Sequence, residues 1–526
     1  MSTTGPALSH RQILVVMGGL MTGMLLAALD QTIVSTALPT IAGELHGLSH
    51  ISYIITAYLL TTTVGTPLFG KISDLHGRKR VFQAAIVIFL IGSALSGVAQ
   101  SFTQLILFRA IQGFGAGGLI AMTQTIIGDI VSPRERGRYQ GYMGSVFALA
   151  SVAGPLLGGF FVDSLSWRYI FYINIPLGLI ALVITSRALN LPFKRRQAKI
   201  DYWGAALLVA GVGALLLVGE LGGTQSPWGS PTIVGLAVAG LVLVGLFVWH
   251  ERRTAEPILP PHLFGGGVFR VSAAASFIVG AAMFGALAFL PLYLQVSTGA
   301  SATKSGLLLL PLIGGLLVTI IGSGRVISRT GRYKVFPILG TALIALAMFL
   351  LSTLSADTSR LLTDVYMVVL GAGLGMVLQV LILAVQNDVP RGELGVATAG
   401  VTFFRSLGGA IGTAAFGALL ANRLGHELAI KLHGIPGAAQ IDPNSLRGNA
   451  AQVAGLPPRI HQAVTQAVAS SVDVVFLGAV PLAVLGFLIV LALKEHPLRE
   501  TPNVGGGPSE EAPGEPVAPE PQASLV

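Results

Sequence analysis

The chain is 526 residues long, 53% apolar and only 10% charged, with a formal net charge of +9 and a mean hydropathy of +0.76. A soluble domain carries about 25% charged residues, so composition excludes one, and a chain without cysteine has no disulfide, no thiolate metal site and no cysteine nucleophile. The 67 glycines show no G-X-Y period and lie within apolar runs, where small residues let membrane helices approach closely.

Crossing about 30 Å of hydrocarbon takes roughly 20 residues. Fourteen stretches qualify, at 12–36, 50–69, 81–99, 104–128, 140–162, 168–187, 203–221, 232–250, 268–291, 305–326, 335–354, 363–386, 397–420 and 473–493. The first is too long for a signal-peptide core, lacks a small-residue cleavage site and carries Asp30, so it is read as a retained helix. With a cytoplasmic N-terminus, the inner loops include GKISDLHGRKR (70–80), SPRERGR (132–138), the run at Lys194, Arg195 and Arg196, and SRTGRYK (328–334). About 23 of the 32 Lys and Arg then lie inside and about 7 outside, with Arg109 and Arg405 within spans. That bias sets topology, so the positive charge is read as orientation and no nucleic-acid partner is expected. An even span count places the C-terminus in the cytoplasm too.

Residues 421–472 read as a polar extracytoplasmic loop and the Pro/Glu/Gly-rich 497–526 as a disordered cytoplasmic tail. The loop after span 2 starts at Gly70 and the one after span 10, GRVISRTGRYK, at Gly324, with the same seven-residue glycine spacing and an offset of 254. Pro133 and Pro390 match at an offset of 257. The chain therefore divides into a cytoplasmic N-terminus (1–11), a six-helix bundle (12–187), two inserted helices (203–250) and a second, pseudo-symmetric six-helix bundle (268–493). The expected fold is an all-α polytopic membrane protein of fourteen transmembrane helices. Duplicated halves meeting at a central site are how many secondary transporters achieve alternating access.

Four motifs give the chain a resemblance to the major facilitator superfamily, and more narrowly to its fourteen-span drug:proton antiporter branch (EmrB/QacA-like), over roughly 12–495. They are LDQTIVSTALPTI (29–41) with Ser35 in place of the usual Asn, GKISDLHGRKR (70–80), LILFRAIQGFGAGG (105–118) with Arg109, and ASVAGPLLGG (150–159) followed by WRYIFYINIPLG (167–178). Ala150 stands where the last motif usually begins with glycine.

Asp30 lies about six residues inside the outer end of span 1 and Arg109 about five inside that of span 4, both near 9 Å deep at 1.5 Å per residue. A charge within a membrane helix costs roughly 3 kcal/mol on insertion scales, so such residues face cavities, pair and serve pathways. Burial and a neighbouring guanidinium act oppositely on a carboxylate, which makes Asp30 the proton-carrier candidate and Arg109 its modulator; a structural ion pair is the alternative. The resemblance implies a cytoplasmic latch of Asp74, Arg78 and Asp129, with Gly70 and Gly77 permitting close approach. It also makes Gly154, Pro155, Gly158 and Gly159 an antiport marker, where the residues alone make a packing seam. Arg405 is a second intramembrane cation, read either as a contact for anionic substrate groups or as satisfying helix-end carbonyls. GFGAGG (113–118) fits a dinucleotide fingerprint, but no strand precedes it. No phosphate-binding loop or HExxH motif is present.

The resemblance thus implies a non-enzymatic, proton-coupled exporter of amphipathic drugs or antibiotics, working as a monomer in the bacterial inner membrane. It needs no cofactor or metal beyond the proton gradient. Gln112, Gln124, Gln379 and Gln386 are the candidate polar groups for an apolar cavity, and none is assigned to a site. Export of one endogenous metabolite, lipid or siderophore is the alternative within the same fold, and a non-transporting sensor or scaffold the alternative outside it.

Overall fold

A computed structural model describes residues 10–45, 52–189, 201–222, 226–298, 307–356, 358–433, 435 and 456–499. A helix stands at each of the fourteen expected positions. They are α1 (His10–Glu44), α2 (Ser52–His76), α3 (Arg78–Gly97), α4 (Phe102–Ile130), α5 (Arg136–Ser164), α6 (Tyr169–Ala188), α7 (Tyr202–Leu221) and α8 (Pro231–Glu251), then α9 (Gly267–Thr298), α10 (Leu310–Thr330), α11 (Val335–Leu351), α12 (Arg360–Asp388), α13 (Leu394–Lys431) and α14 (Pro458–Leu491). Twelve are long and apolar enough to cross a membrane. Of the other two, α11 has only 17 residues, and α2 carries five threonines and the charged Lys71 and Asp74.

Lipid offers no hydrogen bonds, so a chain with this composition satisfies its backbone within helices. The perimeter is correspondingly apolar: Leu107, Leu149, Phe160, Val318, Leu361 and Leu241 are all exposed. Trp203 and Trp249 lie exposed at the start of α7 and the end of α8, the place of an interfacial aromatic belt.

The duplication read from the loops governs the packing. Helix α4 packs on α2 and α3, α1 on α4, α5 and α6, and α3 on α6; eight helices later, α12 packs on α10 and α11, α9 on α12, α13 and α14, and α11 on α14. The two bundles meet along two equivalent seams, α2 on α13 and α5 on α10. Helix α7 lies against both α2 and α13, and α8 against α7.

GFGAGG is a packing face, as read. Gly113 and Gly117 of α4 rest on the carbonyls of Tyr58 and Thr62 in α2, and Gly371 and Gly375, 258 residues on, rest on those of Leu312 and Leu316 in α10. Gly77 and Gly331, in the two matching loops, share a positive φ of 91° and 73°, which glycine adopts without a Cβ penalty.

Two expected boundaries are corrected. The loop read at 421–472 is helical at both ends, because α13 continues to Lys431 and α14 begins at Pro458, and most of what lies between is outside the described residues. Both extensions are amphipathic rather than uniformly apolar: Leu424, Leu428, Ile460 and Val464 are buried, while Glu427 pairs with Arg423 at 2.7 Å and Lys431 at 3.7 Å along one helix face. The tail read at 497–526 begins with held residues, since the Arg499 N–H donates to Asn387 Oδ1 at 3.0 Å and Asn387 Nδ2 to the Pro497 carbonyl at 3.0 Å. Residues 500–526 lie outside the described residues.

At the end of the bundle away from the basic loops, Glu44 closes α1 onto the entry of α6, accepting from Arg168 Nη1 at 2.6 Å and Trp167 Nε1 at 2.8 Å. The Arg168 guanidinium, then the indole, hold its carboxyl below the ordinary 4.5. A lowered folded-state pKa contributes stability above the unfolded value and loses it as pH falls through the folded one. Glu44→Gln should therefore lower the melting temperature at neutral pH by an amount worth under about 1 kcal/mol for so exposed a pair. The difference from the parent should close as pH drops below about 4.5. Gly113→Val and Gly371→Val should each cost about 1–3 kcal/mol or more through overpacking. Gly235→Ala, with no atom within 4 Å of the added carbon, should leave the melt unchanged.

Candidate functional site

Asp30 and Arg109 meet. Arg109 Nη1 donates to Asp30 Oδ2 at 2.5 Å, with the two side chains 2% and 0% exposed. The carboxylate's other oxygen accepts from Gln112 Nε2 at 2.7 Å and Asn174 Nδ2 at 3.2 Å. Arg109 Nη1 also donates to Gln112 Oε1 at 2.8 Å, and Asn174 Nδ2 to Ser93 Oγ at 3.0 Å. The guanidinium stacks 4.1 Å above the Tyr58 ring centroid, and Tyr58 OH donates to the Ala27 carbonyl at 3.3 Å. Five helices of the first bundle, α1, α2, α3, α4 and α6, each contribute a side chain. Arg109 Nε and Asn174 Oδ1 are buried without a partner, so the network has unused hydrogen-bonding capacity.

Gly154 and Gly158 of α5 press against Thr32, Ile33 and Thr36 of α1, one turn from Asp30, and Thr32 Oγ1 donates to the Ala150 carbonyl at 2.9 Å. Pro155 lies inside α5 and, with Gly159, is part-exposed. The motif is thus a close seam next to the buried carboxylate.

The second cluster lies at the basic end. Arg78 Nε donates to Asp129 Oδ2 at 2.7 Å, and Arg78 Nη1 to Ser73 Oγ at 2.6 Å and to Asp74 Oδ1. Asp74 also crosses to the second bundle, accepting from the backbone N–H groups of Gly395 at 3.2 Å and Val396 at 2.9 Å. These belong to the first turn of α13, whose amides have no acceptor within the helix and carry the positive end of its dipole. Gly70 sits directly against Ala399 and the Gly395 carbonyl. Gly77 starts α3 in a conformation that points Arg78 back at both carboxylates.

Further ties join the bundles at this end. Arg136 Nη1 donates to Gln386 Oε1 at 2.7 Å, Gln386 Nε2 to the Gln124 carbonyl at 3.2 Å, and Gln124 Nε2 to Gln379 Oε1 at 3.3 Å. Gln112 belongs to the Asp30 network and the other three glutamines to this closure, with Gln124 Oε1 left buried without a partner. Lys71 Nζ pairs with Glu256 Oε2 at 2.6 Å, linking α2 to the segment leaving α8. Glu251 folds that segment back by accepting from the N–H of Ile258 at 3.1 Å and Leu259 at 2.8 Å. A cavity of about 490 Å³, lined by Lys71, Asp74, Glu251, Glu256, His262 and Glu393 among others, opens beside the latch.

Arg405 is not brought to any of these groups. Its side chain has no hydrogen-bond or ion-pair partner among the described residues, so the helix-end carbonyls considered for it do not receive it.

Sequence reasoning did not find Tyr58, Ser93, Asn174, Arg136, Lys71 or Glu256. Asn174 stood in the quoted span-6 motif, and its polarity within an apolar run was the available signal. Lys71 and Glu256 are 185 positions apart, and nothing local relates them.

The family model of the Major Facilitator Superfamily matches residues 20–413. An uncharacterised MFS-type transporter of Mycobacterium tuberculosis is 44% identical over 94% of this chain and 72% of its own length. Multidrug resistance protein 3 of Bacillus subtilis is 34% identical over 92% of this chain and 95% of its own, and the multidrug transporter protein MdtP of the same organism is 39% identical over 81% and 78%. Among solved structures, a human organic anion transporter superposes with a TM-score of 0.60 at 16% identity, covering 91% of this chain and 99% of that one. A proton:xylose symporter does so at 0.57 and 16%, covering 90% and 97%, and both show the shared fold. With helices, duplication and motifs in agreement, the chain is a polytopic membrane transporter, not an enzyme, and belongs to the Major Facilitator Superfamily.

Proposed function

We propose that this transporter is a proton-coupled antiporter that exports an amphipathic organic compound across a bacterial cytoplasmic membrane by alternating access, with both termini in the cytoplasm. The bundles at 12–187 and 268–493 are the bodies that move. The observation that carries the reading is the buried Asp30 cluster. A carboxylate held by a guanidinium and two amides, out of contact with water, changes its whole network when it takes up a proton, because Arg109 then loses its counter-charge.

The basic end faces the cytoplasm on the positive-inside rule, so the conformation described is closed on that side. Opening it separates α2 from α13, which breaks the Asp74 contacts to the α13 amides and exposes Arg78. In this reading protonation of Asp30 loosens the first bundle about α1, α4 and α5, the latch releases, and substrate enters from the cytoplasm. Loss of that proton to the cytoplasm as substrate binds restores the Asp30–Arg109 pair. The relatives named as multidrug transporters support a broad range of organic substrates.

In acid-loaded proteoliposomes, several unrelated hydrophobic compounds should each trigger proton release, and Asp30→Asn should abolish it while substrate binding persists. Unaltered coupling in Asp30→Asn would remove Asp30 from the mechanism, and a response to one saturable compound alone would indicate a dedicated metabolite exporter. Asp30→Ala, which leaves Arg109 buried without a counter-charge, should cost about 3–5 kcal/mol in a thermal melt, and Asp30→Asn clearly less.

Because the chain has no cysteine, a single cysteine at Ala399 reports on the α2–α13 seam. Asp74→Asn should raise its labelling rate about five- to thirtyfold, equivalent to about 1–2 kcal/mol at a helix N-terminus. Lys71→Gln or Glu256→Gln should raise it less, by up to about fivefold, and exchanging the two charges should restore the slower rate.

A further inference from the structure

Arg405 lies eleven residues beyond the start of α13 at Leu394, about 16 Å along the helix at 1.5 Å per residue. Helix α13 is surrounded: it packs on α2 and α4 of the first bundle, on α9, α12 and α14 of the second, and on α7. Yet the four consecutive residues Phe404, Arg405, Ser406 and Leu407 are all part-exposed. Along its length α13 is enclosed by these neighbours, and at this turn Gly280 of α9 lies against the Arg405 carbonyl and Phe264 against Phe404, while the four side chains keep part of their surface open.

Within that turn the guanidinium is alone, with neither hydrogen bond nor ion pair nor ring face among the described residues. Arg109, the other arginine at depth, has a carboxylate, an amide and a tyrosine ring. Asp30 is committed to Arg109. Asp473, on α14, leaves Oδ1 buried without a partner, so it does not answer Arg405. An arginine keeps its proton at any physiological pH, so this one stands as an uncompensated positive charge at membrane depth, a costly arrangement unless an anion visits it. Its neighbours are apolar and aromatic, with Phe404 packed edge-on against Phe264 and Phe403. Five N–H donors in a planar fork match a carboxylate or sulfonate, and the flanking rings match an apolar skeleton.

We propose that Arg405 is the docking point for the anionic group of the transported compound, so that the substrate class is amphipathic organic anions. This rests on the exporter reading above and adds to it the sign of the substrate's charge. Asp30 keeps the proton role, while Arg405 discriminates against cations by repulsion and in favour of anions by a charge-assisted hydrogen bond.

The test holds the skeleton fixed and changes the charge. Pyrene-1-sulfonate, pyrene-1-carboxylate, 1-pyrenemethanol and 1-pyrenemethylammonium are titrated onto the full-length protein in nanodiscs of neutral lipid, with binding read by energy transfer from tryptophan to pyrene. The two anions should bind about tenfold more tightly than the alcohol, which corresponds to about 1.4 kcal/mol, and the ammonium compound weakest. Arg405→Gln should erase the advantage of the anions without weakening the alcohol, and Arg405→Lys should retain most of it. The ranking in the unmodified protein tests the proposal even where Arg405→Gln fails to fold. An ammonium compound that binds as well as the sulfonate, or an anion advantage that survives Arg405→Gln, overturns the proposal. So does displacement of the sulfonate by millimolar chloride or by phosphatidylglycerol in the disc, which would assign the arginine to an inorganic ion or a lipid headgroup. Proton release driven by the ammonium compound alone sinks the proposal and leaves the exporter reading standing. Arg405-dependent sulfonate binding with no proton release for any compound does the reverse.

Discussion

The carboxylate of Asp74 is the point on which the closed conformation turns. It belongs to α2 of the first bundle, is held by Arg78 on α3, and spends its remaining acceptor capacity on two amides at the start of α13 in the second. A helix N-terminus offers donors and partial positive charge only while an anion sits at the right distance, so the contact is strong when the bundles are together and vanishes on small separation. Arg78 makes that anion part of a three-residue unit with Asp129, so α2, α3 and α4 are joined to one another where they meet α13. The paired glutamines, Arg136 and the Lys71–Glu256 tie lie around this contact and close the same end.

The duplication is geometrically faithful and chemically uneven. The helix contacts, the positive-φ glycines and the carbonyl-facing glycine stripes repeat in both halves. The charges do not. Ser328 stands 254 residues beyond Asp74, Asn387 stands 258 beyond Asp129, and Met367 stands 258 beyond Arg109. Asn387 binds the segment after α14 instead of an arginine, and Glu495 accepts from the Tyr333 and Lys334 amides at 2.7 and 3.0 Å where the repeated loop turns. The second bundle is therefore tied to its own C-terminal segment while the first carries the buried Asp30–Arg109 pair. One copy holds a buried ion pair and the other is left with Arg405.

Much of this was legible in the residues because a bilayer makes each signal coarse. A span shows as some twenty apolar residues, and a charge inside one is conspicuous, which is why Asp30 and Arg109 could be matched by depth alone. What escaped has physical reasons. The partners of Asp74 across the seam are backbone amides, which any sequence would supply, so no residue type marks them. The Lys71–Glu256 pair joins segments brought together only by the route of α7 and α8. The ends of α13 and α14 read as loop because an amphipathic helix with i,i+4 ion pairs has the mean polarity of a loop. Gln112, Gln124, Gln379 and Gln386 were recognised as unusual within apolar spans, but depth and polarity do not distinguish a residue facing a cavity from one facing another polar side chain.

The placement of α7 has a further consequence. By lying on α2 and α13 it sheathes one of two seams that the duplication makes equivalent, while α5 and α10 meet without an inserted helix packed on them among the described residues. A solute dissolved in the bilayer therefore meets two different flanks: one behind an extra wall of protein, the other bordered by lipid. The internal twofold relation, which would otherwise give two equal lateral doorways, is reduced to a machine with a front and a back.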